Sequence, residues 1–306
     1  MHANLQLPND SAPAAHLSYR IADVDIAIEG PTNILSILAN GCRRLPSASK
    51  DAPAQVTISL FRDDSAWIVM CGKQETKRLS IGAPPGNLAL ELGNALVLCV
   101  AERSRFLIVH GAALERDGKV VCLAGKSFSG KTLLTAHLAS RGWRILSDEY
   151  LFIEPLSKRI VPYQKLLYMR SGSLGMLPRS FMKALERSPW HASPQSETIV
   201  FHAVDPADSY GTSVWGDNGR LTHFLLIEND RAGVSKVTEA NAWTLMPQLN
   251  TLVWQPPDLL GGLTRLANAV IGTRIGTLQV SSPLNTTDVI EEWTLESAVQ
   301  TGLQVA

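Results

Sequence analysis

An eight-residue segment near the middle of the chain constrains the fold more than any other feature of the sequence. Residues Gly125 to Thr132 read GKSFSGKT and fit the pattern G-x-x-x-x-G-K-[S/T] at every fixed position. The pattern is informative where a strand precedes it and a helix follows it. The run Lys119 to Ala124 predicts that strand, and Leu133 to Arg141 predicts the helix, which Gly142 ends. The sequence therefore predicts a phosphate-binding loop of the Walker A type.

Each position of this loop is a candidate for nucleotide binding. The candidates are Gly125, Lys126, Ser127, Phe128, Ser129, Gly130, Lys131 and Thr132. The glycines let successive backbone N–H groups face one anion, and the dipole of the next helix points at the same anion. We expect Lys131 to reach the β and γ phosphates and the Thr132 hydroxyl to bind Mg²⁺. An ordinary Gly/Ser turn between a strand and a helix is the alternative.

Phe128 stands in the middle of the loop, where a small residue is more usual, although the pattern leaves this position free. Its bulky side chain has to point out of the phosphate cradle. We expect it to contact the base, the substrate or a lid.

Two carboxylates follow the next predicted strand, Trp143 to Leu146. Asp148 and Glu149 come directly after Ser147. In an open α/β sheet, ligands bind beyond the carboxyl ends of the strands. A carboxylate there can hold Mg²⁺ and can accept the proton of an attacking hydroxyl. We expect Asp148 to be a catalytic base and a metal ligand, and Glu149 to be a further metal ligand. A solvated turn carboxylate that caps the next segment is the alternative for each.

Two further residues are candidates with open alternatives. His110 lies in an apolar predicted strand, Arg105 to Glu115, where a histidine is more often a satisfied core residue than a catalytic one. Arg170 ends the predicted strand Lys165 to Arg170. It is either a surface arginine or a charge clamp for a transferring phosphoryl group.

The composition excludes several other classes of protein. The chain has 306 residues, of which 45% are hydrophobic, which excludes global disorder. Its 28 Lys and Arg balance its 28 Asp and Glu, which argues against a nucleic-acid binder held by a bulk basic field. We find no uninterrupted run of about 18 apolar residues and no signal peptide, and we expect no membrane partner.

The four cysteines form no metal-ligand spacing. They are Cys42, Cys71, Cys99 and Cys122, and each stands among apolar residues. We predict buried free thiols in a reducing compartment, and hence a cytoplasmic protein.

The elements predict a loose tail over residues 1–16, a small α+β domain over 17–102 and the loop-bearing domain over 103–306. The first domain combines strands at Leu17–Glu29, Gln55–Leu60 and Ala66–Cys71 with helices at Thr32–Asn40 and Asn87–Glu102. Beyond the loop, a strand is predicted at Leu221–Glu228 and helices at Leu259–Ile271 and Thr287–Trp293.

The stretch from His110 to Glu149 resembles the bacterial HPr serine kinase family, and most closely its HPr-kinase-related members. The resemblance joins four features: His110-Gly111 before the loop, a hairpin leading into it, Arg141-Gly142 after the helix, and the acidic pair at Asp148. It implies an α/β fold with an HPr-kinase-like P-loop domain of PEP carboxykinase-like architecture. It also implies that Asp148 is the general base for a Ser hydroxyl and that His110 supports the active-site carboxylate or phosphate.

The chain also departs from that family. The family's second acid is usually Asp, where this chain has Glu149, and Tyr168 stands where full HPr kinases carry the Glu of a Glu-x-Arg-Gly signature. The loop that grips the HPr protein is not visible near residues 255–275. HPr itself is therefore in doubt as the acceptor.

The resulting prediction is a kinase that uses ATP and Mg²⁺ to phosphorylate a Ser-type hydroxyl on a peptide or protein. Two alternatives stay open: a small-molecule kinase of the P-loop class, and a nucleotide-binding regulator of a peptide-modification pathway that has lost turnover. The expected partners are a nucleotide and an acceptor peptide or protein, with no nucleic acid. The oligomeric state is open, and a homo-oligomer is one of the options.

Overall fold

The computed structural model describes residues 14–48, 53–188, 191–192, 200–231, 233–254 and 259–300. The chain divides into two compact units. The first comprises Met1–Ser104 and Pro189–Ala203, and the second comprises Arg105–Ser188 and Val204–Ala306. Strands and helices are mixed along the chain, and the strands form several sheets, which confirms the α/β class.

The chain up to residue 104 contains five strands and two helices. They are β1 (Ala14–Ile21), β2 (Val24–Pro31), α1 (Thr32–Gly41), β3 (Val56–Arg62), β4 (Ala66–Cys71), β5 (Gln74–Ser80) and α2 (Pro85–Ala101).

The rest of the described chain contains twelve strands and six helices. They are β6 (Leu107–Arg116), β7 (Lys119–Ala124), α3 (Lys131–Ser140), β8 (Arg144–Ser147), β9 (Tyr150–Ile153), β10 (Arg159–Val161), β11 (Leu167–Arg170), α4 (Met182–Glu186), β12 (His191–Ala192), β13 (Phe201–Val204), α5 (Ala207–Tyr210), β14 (Gly219–Arg220), β15 (His223–Arg231), β16 (Lys236–Glu239), α6 (Ala242–Asn250), α7 (Leu259–Val270), β17 (Arg274–Val280) and α8 (Pro283–Gln300).

The first unit is built on a five-stranded sheet in the order β1-β2-β3-β4-β5. The pair β2–β3 is parallel, because α1 connects these two strands, and the other pairs are antiparallel. Strand β2 is almost wholly buried, whereas β5 is largely exposed at the edge of the sheet. The short strands β12 and β13 pair with each other in antiparallel register.

The second unit is built on a mixed nine-stranded sheet. Its main path is β14-β10-β9-β6-β7-β15-β17-β16, and β8 pairs with β6 beside this path. Strand β15 runs parallel to both β7 and β17. Side chains alternate across β7, since Val121 and Leu123 belong to one core and Val120, Cys122 and Ala124 to another.

A helix pair covers each face of this central region. The core that contains Val121 includes Leu134 and Leu138 of α3 and Ile290 of α8. The core that contains Cys122 includes α6 and α7 side chains, among them Leu249 and Leu266. Strand β7 is therefore buried on both faces, and the loop after it emerges from the middle of a sheet.

Three predicted features of the first unit differ from the structure. The single strand predicted over Leu17–Glu29 is two strands, β1 and β2, because Ala22 adopts a positive φ of 53° and turns the chain without a glycine. Strand β5 has no apolar alternation and was not predicted. Residues 14–16 of the predicted tail belong to β1, and residues 1–13 lie outside the described residues.

The prediction of four free thiols is wrong for two of the cysteines. Cys71 on β4 and Cys99 on α2 form a disulfide across a Cα–Cα distance of 6.3 Å. Sequence spacing carried no signal for this pair, because the bond joins residues that only the packing of α2 near β4 brings together. Cys42 and Cys122 are buried thiols outside any disulfide, as predicted.

No helix in the described part of the chain combines the length and the apolar character that a membrane span requires.

Candidate functional site

The loop from Gly125 to Gly130 connects the buried strand β7 to helix α3. The Gly125 N–H donates to the His110 carbonyl at 3.4 Å, which ties the start of the loop to β6. At its end, Gly130 adopts a φ of 93°, a conformation that glycine takes without a steric penalty. The N-cap residue of α3 is Gly130, which has no side chain to accept from the first N–H groups of that helix.

Gly125 is required by close approach rather than by its dihedral angles. A Cβ at this position would lie 2.8 Å from Ser129 Oγ and 3.2 Å from Ile227 Cβ on β15. Ser129 Oγ is itself buried and finds no hydrogen-bond partner among the described residues. The loop therefore curls tightly around a polar position that the protein itself leaves unsatisfied.

Lys131 is folded back into this curl. Its side chain is buried, and its ammonium donates to the carbonyls of Gly125 and Lys126, both at 2.8 Å. Burial lowers the pKa of Lys131 to about 8, against the opposing attraction of Asp148 and Glu149. The ammonium is therefore positioned inside the loop, beside the carbonyls of its first two residues.

Asp148 lies just beyond β8 and faces the first turn of α3. Its Oδ2 accepts a hydrogen bond from Thr132 Oγ1 at 2.9 Å, and its Oδ1 accepts a longer one from Thr135 Oγ1 at 3.4 Å. Burial raises the pKa of Asp148, while the charge of Lys165 and the bond from Thr132 oppose that shift. A buried carboxylate with a raised pKa next to a helix N-terminus is a typical candidate for proton transfer.

Glu149 is held by both its backbone and its carboxylate. Its φ of 79° is unusual for a residue with a side chain, and its carbonyl accepts from the Gly111 N–H at 3.1 Å. Its carboxylate forms an ion pair with the buried ammonium of Lys165. The same ammonium lies 3.8 Å from the centroid of the Tyr168 ring.

His110 lies on β6 directly beside the start of the loop. Its backbone N–H donates to the Leu252 carbonyl at 2.8 Å. Its imidazole ring lies near the rings of Tyr150 and Trp254. Burial lowers the pKa of His110 to about 4, and the charge of Lys131 acts in the same direction. The imidazole is therefore neutral at pH 7 and can exchange a hydrogen bond without carrying a charge.

Arg170 ends β11 and reaches the exposed tip of the loop. Its guanidinium carbon lies 4.0 Å from the centroid of the Phe128 ring. Burial lowers its pKa, yet an arginine stays charged at any physiological pH. Phe128 is 59% exposed, so the arginine covers only part of the ring.

Direct contacts bring all of the predicted catalytic residues to the loop. The Asp148 carboxylate accepts from Thr132, and the Arg170 guanidinium lies over the Phe128 ring. His110 reaches Gly125 through its backbone carbonyl, not through its imidazole ring. Lys126 takes part through its carbonyl, whereas Ser127 is exposed.

Sequence reasoning missed Lys165 and Thr135. Thr135 stands three residues after Thr132 on one helix, a spacing that places both on one face and could have indicated it. No local signal marks Lys165, because its pairing with Glu149 depends on how β11 returns to the site.

The oxygen ligands at this site suit magnesium. In the described residues, no group of three or more His, Cys, Asp or Glu side chains lies close enough to hold a metal ion by itself. Magnesium does not need such a group, since it is commonly held by one or two carboxylates together with substrate phosphates. The Thr132 hydroxyl and the Asp148 carboxylate, 2.9 Å apart, fit that requirement.

Comparisons with known proteins give a distant similarity. No protein-family model matches this chain. No curated protein matches it either. Among solved structures, it is similar to the HPr(Ser) kinase/phosphatase from Coxiella burnetii, with a TM-score of 0.34 and 10% sequence identity, over 64% of this chain and 94% of that one. A likeness at that TM-score does not establish a shared activity.

Proposed function

We propose that this protein is a kinase that transfers the γ-phosphoryl group of ATP, with Mg²⁺, to a Ser-type hydroxyl on a peptide or protein. The loop from Gly125 to Thr132 would hold the phosphates, and Asp148 would be the general base. Thr132, Asp148 and Glu149 would be the candidate ligands of the metal.

One observation carries this proposal: the Thr132 hydroxyl, which ends the loop, donates to the Asp148 carboxylate at 2.9 Å. Thr132, which would bind the metal next to the phosphates, and a buried carboxylate are thus within one hydrogen bond of each other. Phosphoryl transfer asks a protein mainly to position groups and to stabilise charge, and these two groups would supply a metal-binding hydroxyl and the base.

In this mechanism the acceptor oxygen bonds to the γ-phosphorus as the bond from that phosphorus to the β–γ bridging oxygen breaks, and ADP leaves. Asp148 accepts the proton of the acceptor hydroxyl. Lys131 and the N–H groups at the start of α3 hold the phosphates in place. Bound Mg²⁺ would neutralise charge on the phosphate oxygens. The neutral His110 would orient the neighbouring groups through hydrogen bonds.

The test begins with calorimetric titration of MgATP into the wild-type protein and into Lys131→Ala. We expect the wild type to bind and the variant to lose binding, because the ammonium is the cation inside the loop. Lys183→Ala is the matched control, since it removes one positive charge at an exposed position on α4. Equal binding by all three proteins would contradict a phosphate-binding role for the loop.

Turnover is tested separately, by measuring the transfer of labelled γ-phosphate from ATP to candidate peptides. The first candidates are peptides encoded next to the gene for this protein. Transfer to a seryl residue supports the kinase. Transfer to a small molecule alone would replace the peptide or protein acceptor in this proposal.

A nucleotide-binding regulator without turnover is the second candidate. The observation that favours it is that the protein already engages both carboxylates: Thr132 and Thr135 bond to Asp148, and Lys165 pairs with Glu149. Nucleotide affinity without transfer to any acceptor would select this candidate over the kinase.

A further inference from the structure

Phe128 occupies a backbone conformation that suits a glycine better than an aromatic residue. Its φ is 72°, in the left-handed region, where a bulky side chain is disfavoured by clashes with the backbone. Of the five non-glycine residues with positive φ in the described chain, Phe128 is the one aromatic residue. Such conformations persist where the surrounding structure requires the side chain, and they cluster at functional sites.

The contact that uses this side chain is the stack with Arg170. The guanidinium carbon lies 4.0 Å from the ring centroid, a distance at which a cation is attracted to an aromatic face. Within the described residues, no carboxylate lies within 4.0 Å of the Arg170 guanidinium, and no acceptor forms a hydrogen bond with it. Arg170 is half-buried, and the five N–H donors of its guanidinium are available for hydrogen bonds. Beside the Gly125–Thr132 loop, such a group can bind an anion.

A long arginine side chain would otherwise sample many rotamers, and fixing it costs free energy at the moment that it binds. The ring removes that cost in advance, because a planar guanidinium stacks on an aromatic face while its N–H groups at the edge stay available. Preorganised charge is worth most where negative charge develops in a transition state.

We propose that Phe128 is a positioning residue that holds the Arg170 guanidinium over the Gly125–Thr132 loop, so that Arg170 contacts the phosphoryl group while it is transferred. This inference rests on the proposed function. It assigns the exposed ring of Phe128 to Arg170 rather than to the nucleotide base.

The experiment needs no acceptor. The probes are MgADP and MgADP with tetrafluoroaluminate, a planar mimic of the transferring phosphoryl group, and calorimetry measures the affinity for each. The variants are Phe128→Leu, which removes the aromatic face, Phe128→Tyr, which keeps it, Arg170→Ala, and the double variant Phe128→Leu/Arg170→Ala.

The readout for each variant is the ratio of its affinity for the fluoroaluminate complex to its affinity for MgADP. Phe128→Leu should weaken binding of the fluoroaluminate complex by about 5- to 30-fold, the range for a partly desolvated cation–π contact. Phe128→Tyr should restore it. The double variant should bind no more weakly than Arg170→Ala, because Phe128 acts through Arg170.

Thermal unfolding separates this role from a structural one. Phe128→Gly should raise the melting temperature, because glycine relieves the positive φ, and should still lose affinity for the fluoroaluminate complex. Asp117→Gly is the matched control: it relieves a φ of 51° in the β6–β7 hairpin and should leave both affinities unchanged.

Three outcomes overturn the inference, and they are distinguishable. If the wild type does not bind MgADP, the proposed function fails and the inference fails with it. If MgADP binds but Phe128→Leu loses MgADP itself, the ring packs on the nucleotide. If the Phe128 and Arg170 losses are additive, or absent, the two residues act independently and Phe128 does not position Arg170.

Discussion

At the scale of single residues, the site is defined by which polar groups are satisfied by the protein and which are not. The Lys131 ammonium donates to loop carbonyls, and both oxygens of Asp148 accept from threonine hydroxyls. Ser129 Oγ is buried and is left without a partner in the described chain. Under the proposed function, the phosphate oxygens of the nucleotide would satisfy this hydroxyl.

Asp148→Asn separates binding from chemistry. The amide oxygen can still accept from Thr132, so we expect nucleotide affinity to be retained. The amide cannot accept a proton, so the transfer rate should fall by at least ~10²-fold, a typical contribution of a general base. Nucleotide titration and initial rates measure the two effects.

Asp208→Asn, on α5, is the control for the loss of a carboxylate. Full activity in Asp148→Asn would refute the role of Asp148 as base.

At the scale of elements, helix α3 has to be held still for its N-terminus to serve the loop. Its C-terminal end is tied to α8 through Glu291. That carboxylate accepts from Arg116 at 2.8 Å, from Arg141 at 2.8 Å and from Trp143 Nε1 at 2.9 Å. Arg141-Gly142, which contributed to the resemblance by sequence, is thus an anchor of the helix as well.

This anchor predicts unequal effects for two acidic residues on α8. Glu291→Ala strands three donors and should lower the free energy of unfolding by about 1.5–3 kcal/mol. Asp288→Ala removes one pair at a position whose side chain is 61% exposed, and should cost no more than ~1 kcal/mol. Denaturant unfolding measures both, and a larger loss for Asp288→Ala would contradict the anchor.

The pairing of β4 with α2 through the Cys71–Cys99 disulfide gives a second prediction at this scale. Unfolded without reductant, the chain should show two free thiols, from Cys42 and Cys122. Adding reductant before unfolding should raise the count to four and lower the stability of the first unit by about 2–4 kcal/mol. A count of four thiols without reductant would show that this disulfide does not form. All four cysteines would then be free thiols, the premise from which a cytoplasmic protein was predicted.

At the scale of the whole molecule, the buried His223 and the half-buried His110 should contribute to the pH dependence of stability. Burial lowers the pKa of His223 from 6.5 to about 4, with the charges of Lys119 and Arg274 adding to the shift. Between pH 6.5 and 4 the unfolded chain binds a proton that the folded chain does not. The free energy of unfolding should therefore fall as the pH decreases through this window.

His223→Gln tests this linkage. The variant should show a shallower loss of stability between pH 6.5 and 4, measured as the melting temperature at each pH. His110, whose pKa is also about 4, titrates in the same window, so part of the slope should remain. An unchanged slope in His223→Gln would show that His223 does not contribute.

The sequence by itself determined the local features of this protein. The loop, its flanking strand and helix, and the acidic pair after β8 were all predicted, because glycine spacing and hydrophobic periodicity are properties of neighbouring residues. The mixed α/β class came from the same patterns.

Tertiary structure alone decided the rest, because it depends on residues that are distant along the chain. The ion pair of Lys165 with Glu149, the stack of Arg170 on Phe128 and the bond between Cys71 and Cys99 all join separate elements. The turn at Ala22 and the strand β5 were missed for a related reason: pairing with neighbouring strands stabilises them against their own local preferences. Long-range packing leaves no periodic trace in the segment that it acts on.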